Sequence, residues 1–158
     1  MSVQDAAVVA LAEAVKFESE GRDFYLRAAD RSRDPLARAV FSALAEDEKE
    51  HIRRVREIYE ELKSRPGWPE AVAMVARKSG VRGVFEEAVG RLPADAPGDA
   101  DAVSALKAAA EMERKGLGFY RDRLAKATCD AEAEFYRRLV GEEELHLRTI
   151  EEVLERLT

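Results

Sequence analysis

In the stretch from Phe41 to Leu62 the apolar positions recur three and four residues apart. Val40, Phe41, Leu44, Val55, Ile58, Tyr59 and Leu62 mark one face of a helix. Stepping through the middle of that stripe from 44 to 48, 51 and 55 lands on Glu48 and His51, where the pattern calls for leucine. An ionised carboxylate buried without a partner is costly, so it takes up a proton or finds a cation. Glu48 and His51 lie one turn apart on one helix face and can point at a single partner, for which a metal ion is the obvious candidate. A lone Glu-x-x-His in a glutamate-rich chain is more often a surface glutamate beside a capped or half-buried histidine.

The pattern recurs 95 residues later, where Glu143 and His146 interrupt a stripe made by Leu139, Ile150, Val153 and Leu157. The chain has 2 histidines, and both follow a glutamate by three. The same offset carries Glu18, Gly21, Phe24 and Tyr25 onto Glu113, Gly116, Phe119 and Tyr120, as well as Ala14 onto Ala109, Leu44 onto Leu139 and Arg53 onto Arg148. The chain reads as a duplicated helical hairpin.

Start and stop signals divide it further. A first helix is predicted from an N-cap at Ser2, with Asp5 in its first turn, to about Arg31, with Leu11, Val15, Glu18, Tyr25 and Ala29 inward. Asp34 as N-cap and Pro35 at the first helical position open a second helix, which Arg-Pro-Gly-Trp-Pro stops after about Ser64. A crossover of about 65–100 carries short helices over Pro69 to Lys78 and Val81 to Leu92, separated by Ser79-Gly80. Trp68, Val72, Val75, Val84, Phe85 and Val89 pack it on the bundle. A helix from about Ala102 to Ala127, capped by Asp99 or Asp101, and a last helix capped by Thr128 or Asp130 complete the second hairpin. Residues 1–158 then form one domain, with hairpins at about 2–64 and 101–158.

This arrangement has a geometric consequence. The first turn lies near Ser32 and Arg33, so Glu18 sits about 15 residues before it and Glu48 about 15 after, each roughly 22 Å along its helix. Antiparallel neighbours bring them level, and Glu113 and Glu143 repeat the relation around residue 128. Four carboxylates and two imidazoles are predicted at one height of a bundle whose hairpins face each other about a pseudo-twofold axis. Hard carboxylates with imidazoles and no thiolate suit iron(II) or manganese, and four buried glutamates without a cation would repel one another.

Composition changes the picture by exclusion. A net charge of −6 argues against a nucleic-acid or anionic-membrane surface. The single Cys129 rules out an internal disulfide and a four-cysteine zinc or iron site within these residues. No apolar run approaches the roughly 20 residues of a membrane span, and acids interrupt the apolar N-terminal stretch, so a soluble cytoplasmic protein is expected.

With these residues in place, the chain resembles the rubrerythrin branch of the ferritin-like superfamily. Glu18-x-x-Gly21-x-x-Phe24-Tyr25 is similar to that family's first-helix signature, and Leu44-Ala45-x-x-Glu48-x-x-His51 to its second. The resemblance implies an all-α, ferritin-like antiparallel four-helix bundle, with Glu18, Glu48, His51, Glu113, Glu143 and His146 as ligands of two iron or manganese ions. Glu48 and Glu143 would be the bridges. It implies an oxidoreductase that reduces hydrogen peroxide or dioxygen with electrons from a separate protein such as a rubredoxin. The alternatives are a ferroxidase or iron-handling protein of the ferritin type, and a non-catalytic bundle with an empty or zinc-filled site.

Two departures from the family stand out. Rubrerythrins proper carry a four-cysteine rubredoxin domain, which this chain cannot form. They also tend to place a further carboxylate one turn after the third-helix glutamate, where this chain has Gly116. The six ligands that remain are as symmetric as those of a bacterioferritin. A storage shell is nonetheless disfavoured, since no further helix follows the fourth and Met1, Met74 and Met112 give no trusted haem signal.

Tyr25 and Tyr120, two turns beyond Glu18 and Glu113, either reach back to a ligand carboxylate or bound oxygen species, or are core aromatics. Gly21 and Gly116 make space for close helix contact or for a path to the metals. Val8, Val9 and Leu11, with the Trp68 to Phe85 segment, offer apolar surface for a homodimer.

Overall fold

The computed structural model describes residues 2–69, 80–91 and 100–158, which form helices α1 (Val3–Arg31), α2 (Pro35–Ser64), α3 (Val81–Arg91), α4 (Ala100–Ala125) and α5 (Asp130–Leu157), with no strand among them. α1 packs along α2 and α4 along α5, giving two antiparallel hairpins that face each other, and α3 lies across α2 and α5. This is the all-α, ferritin-like bundle expected from the sequence. Among the described residues no helix is long and apolar enough to cross a membrane.

The ends of the first hairpin follow the local chemistry of its sequence. Ser2 and Asp5 form a capping box, with Asp5 N–H donating to Ser2 Oγ at 3.0 Å and Ser2 N–H to Asp5 Oδ2 at 3.1 Å. Asp34 Oδ2 accepts from Ala37 N–H at 2.7 Å ahead of Pro35. The second hairpin departs from expectation. α5 is preceded by Cys129, which makes no side-chain cap bond, and Asp130 is already helical. Glu132 instead ties the preceding turn to the helix, accepting from Thr128 N–H at 2.6 Å and Thr128 Oγ1 at 3.1 Å. Asp101 lies inside the first turn of α4, which begins two residues earlier than predicted. Asp99 falls outside the described residues, as do Val72, Val75 and the expected helix beyond Pro69.

The core is split. One apolar cluster gathers Tyr25, Phe41, Leu44, Leu106, Ile150 and Val153, with Val81, Phe85 and Ala88 of α3 laid on it. The other gathers Leu11, Val55, Ile58, Leu62, Tyr120, Phe135, Tyr136 and Leu139. Between them lies the polar layer of Glu18, Glu48, His51, Glu113, Glu143 and His146, all buried. Leu11 is fully buried in its own bundle, which removes it from any surface that a second copy could cover. Val15, Ala29 and Tyr59 are half-buried on the flanks of the clusters, because the inner stripe of each helix is narrower than the apolar pattern alone suggests.

The turn after α2 is pinned from the other end of its hairpin. Gln4 Nε2 donates to the carbonyls of Leu62 at 2.5 Å and Arg65 at 3.3 Å, and Gln4 Oε1 accepts from Gly67 N–H at 3.4 Å. Trp68 is thereby seated against Phe135 and Tyr136, at ring separations of 5.5 and 5.8 Å.

The capping difference is testable by urea denaturation. Asp34→Ala should cost about 1 kcal/mol, since it removes a side-chain cap. Asp130→Ala should cost only about 0.3 kcal/mol, the worth of an acid in a first turn.

Candidate metal centre

Each of four helices brings its part of the polar layer through helical spacing alone. α1 supplies Glu18, α4 supplies Glu113, and α2 and α5 each supply a glutamate and, three residues on, a histidine. The six side chains named from the sequence meet in two overlapping groups. Glu18, Glu48, His51 and Glu143 form one, and Glu48, Glu113, Glu143 and His146 the other. Within each group the donor atoms lie within 4.8 Å of one another, and Glu48 and Glu143 belong to both.

The two imidazoles stack with centroids 5.4 Å apart and planes 13° from parallel. His51 Nδ1 lies 3.5 Å from Glu18 Oε2, 3.4 Å from Glu143 Oε1 and 3.9 Å from Glu48 Oε2. His146 Nδ1 lies 3.4 Å from both Glu48 Oε1 and Glu113 Oε1. Among the described residues both Nδ1 atoms, Glu18 Oε2, Glu113 Oε2 and Glu143 Oε1 are buried without a hydrogen-bond partner. Buried polar atoms are rarely left so, and five of the nine such atoms among the described residues fall on this one set of facing groups. An oxygen-rich set with one nitrogen per group, its unsatisfied atoms turned toward one another, fits a pair of hard or borderline divalent cations.

The outward-facing atoms, by contrast, are held, and each is held from the opposite hairpin. Tyr25 donates to Glu113 Oε1 and Tyr120 to Glu18 Oε1, both at 2.5 Å. The tyrosines therefore reach candidate-ligand carboxylates, but those of the other hairpin and not the ones two turns before them. His146 Nε2 lies 3.1 Å from Asp47 Oδ2, and His51 Nε2 2.8 Å from Glu142 Oε2. Sequence reasoning missed Asp47 and Glu142, although the signal was there: they precede Glu48 and Glu143 and are themselves 95 apart. The chain anchors these carboxylates in turn. Val81 N–H, at the start of α3, donates to Asp47 Oδ2 at 3.0 Å, and Arg54 Nη1 lies 2.9 Å from both oxygens of Glu142.

The two glycines are sites of close packing. A Cβ on Gly116 would fall within the ring of Phe17, and one on Gly21 would lie 3.7 Å from the end of Met112. Phe17 and Met112 are 95 apart and each precedes a candidate ligand, so the duplication closes both sides of the α1–α4 seam in the same way. Phe17 also fills the space beside Gly116, which accounts structurally for the absence of a further carboxylate there.

Without a cation, protons balance the layer. Burial, together with the charges of Glu113 and Glu18, holds the Glu143 carboxyl well above the usual range. For His146, burial opposes protonation, but the Glu113 and Asp47 carboxylates outweigh it and raise the imidazole to about 10. His51 is raised in the same way, burial being outweighed by Glu18, Glu142 and Glu143. Burial also opposes the charge of Glu142, yet His51 and Arg54 hold it at about 2. Burial first, then the neighbouring Glu113 and Glu18 respectively, push the Tyr25 and Tyr120 phenols well up, so both remain donors.

The family model for rubrerythrin matches residues 10–154. Searches of curated proteins and of solved structures returned no match.

Metal binding should displace the protons on His51, His146 and Glu143. Apparent Mn(II) affinity, measured by calorimetry, should therefore rise with pH between about 6 and 9, with proton release at each step. Glutamine copies a protonated carboxyl, so Glu143→Gln should leave the stability of the metal-free chain unchanged. It should abolish the gain from added Mn(II), about 2.7 kcal/mol at 100 times Kd for the wild type. Asp47→Asn and Glu142→Gln should each weaken Mn(II) binding roughly 10- to 100-fold with the helical circular dichroism unchanged.

Proposed function

Because this chain belongs to the rubrerythrin family, we propose that its buried layer binds two iron ions, or two manganese ions, and that the protein reduces hydrogen peroxide or dioxygen to water. The observation that carries this reading is the set of five partnerless atoms on His51, His146, Glu18, Glu113 and Glu143, facing one another while the outer atoms of Glu18, Glu113 and both imidazoles are tied down. Two divalent cations would cancel the charge of four carboxylates and leave both imidazoles neutral.

In this reading Glu18 and His51 hold one position, Glu113 and His146 the other, and Glu48 and Glu143 are shared. A bound metal pair supplies Lewis acidity and the electrons that break an O–O bond. The chain's own groups do the positioning. Tyr120 and Tyr25 fix the outer oxygens of Glu18 and Glu113, Asp47 and Glu142 fix the ring planes of His146 and His51, and Phe17 and Met112 close the seam beside the carboxylates. The two apolar clusters keep the layer dry, which strengthens every charge interaction within it.

The electrons come from a separate donor protein such as a rubredoxin, since these residues contain one cysteine and no four-thiolate iron site. We read the protein as a cytoplasmic homodimer, with Val3 and Val9 at the exposed start of α1 as apolar surface that a second copy would cover.

Stopped-flow oxidation of the iron-loaded protein tests the reading. Peroxide should oxidise the centre faster than dioxygen does, and Glu48→Ala should reduce both reactions to the rate of free Fe(II) in buffer. A wild type that reacts no faster than free Fe(II), or one that builds up a ferric mineral instead of turning over peroxide, would contradict it.

A further inference from the structure

The rings behind the centre lead outward on one side only. Tyr120, whose hydroxyl donates to Glu18 Oε1, has its ring centroid 6.2 Å from that of Tyr136, which lies 5.8 Å from that of Trp68. Tyr120 and Tyr136 are fully buried, whereas Trp68, the chain's 1 tryptophan, is half-buried and reaches the surface. The Gln4 clamp on the turn before it holds Trp68 against Tyr136. Neighbouring rings at these separations are close enough for electron tunnelling.

The first hairpin has the same packing with different chemistry. Tyr136 answers to Phe41 across the 95-residue offset. Tyr25 donates to Glu113 and packs on Phe41 at 6.2 Å and Phe24 at 5.7 Å, phenyl rings far harder to oxidise than phenol or indole. The duplication thus preserved the ring contacts on both sides but placed oxidisable groups along one.

The geometry points to a one-electron route from the centre to the surface through Tyr120, Tyr136 and Trp68, by which a one-electron donor reaches a peroxide-reducing site. The inference rests on the peroxide reading above. Reducing one peroxide to two waters breaks the O–O bond and takes two electrons and two protons. An electron drawn from Tyr120 leaves its phenolic proton to pass to Glu18 Oε1 along their hydrogen bond. Tyr120 then takes an electron from Trp68 across the Tyr136 ring and recovers that proton. Trp68 releases its indole proton to water at the surface, and the donor returns the electron while water returns the proton. Two such passages supply the two electrons for one peroxide, and its two protons come from solvent.

Tyr136 serves as the bridge and does not hold the oxidised state. Its hydroxyl has no hydrogen-bond acceptor among the described residues, and the Arg123 guanidinium lies 6.0 Å from its ring, where it disfavours positive charge. Tyr136→Phe keeps the ring and removes a hydroxyl without a partner, so it should fold and leave the route intact, whereas Tyr136→Leu stays apolar but removes the ring and should break it.

The test mixes iron-loaded protein with hydrogen peroxide in the absence of a donor, followed by freeze-quench paramagnetic resonance and peptide mass analysis. The wild type should show oxygen added to Trp68, and Tyr136→Leu should lose it and retain a radical on Tyr120 while still consuming peroxide. Peroxide consumption with Trp68 untouched, or equal Trp68 oxidation in the variant, overturns the route and leaves the peroxide reading standing. If no peroxide is consumed, that reading fails and the metal-free chain decides the route. A pulse of azide radicals oxidises Trp68, and the oxidation should pass to tyrosine in a first-order step that Tyr136→Leu abolishes. Tyr59 is present in both proteins, so identical kinetics would overturn the route.

Discussion

Four carboxylates buried together inside a protein cannot all remain charged unless cations sit among them. In this chain Glu18, Glu48, Glu113 and Glu143 are buried at one height, with only two imidazoles for company. Protons relieve part of the strain in the metal-free state, as the raised Glu143 and histidines indicate. A pair of divalent ions relieves all of it. The layer divides an otherwise apolar core in two and leaves inward atoms without partners, arrangements that a purely structural bundle would gain nothing by keeping.

The second consequence is that fold and site depend on the same contacts. Tyr25 of α1 holds Glu113 of α4, and Tyr120 of α4 holds Glu18 of α1. Asp47 of α2 holds His146 of α5, while Glu142 of α5 holds His51 of α2. Every one of these ties crosses from one hairpin to the other, so neither hairpin can slide or rotate without releasing side chains of the centre. The tie from Val81 to Asp47 brings the crossover into the same network, giving α3 a role beyond covering apolar surface.

Much of this was legible because it is periodic. Helix spacing exposed the polar interruptions at Glu48 and His51, and the 95-residue offset fixed which residues share a level, including the placement of Glu18 and Glu113. Helix starts were legible where a side chain makes the cap, as at Ser2 and Asp34. They were misplaced at α5, because its N-cap residue, Cys129, makes no side-chain cap bond and Thr128 is held by Glu132 instead. The partners of the tyrosines and of the imidazole Nε2 atoms were not legible either. Those contacts lie between helices, and periodicity within one helix says which face a residue occupies but not which neighbour it meets. Asp47 and Glu142 sit within acidic runs, where the 95-residue offset pairs them but only the packing of α2 against α5 shows that they meet the imidazoles.

The central claim is that six side chains from two copies of one hairpin enclose a pair of cations. Anomalous diffraction from crystals of the chain produced with iron or manganese present, with elemental analysis of the same protein, measures this most directly. The account predicts two metal ions per chain in the polar layer. One should lie against Glu18 and His51, the other against Glu113 and His146, with Glu48 and Glu143 touching both. An empty layer under those conditions, or metal bound elsewhere with these six side chains turned away from it, would contradict the account.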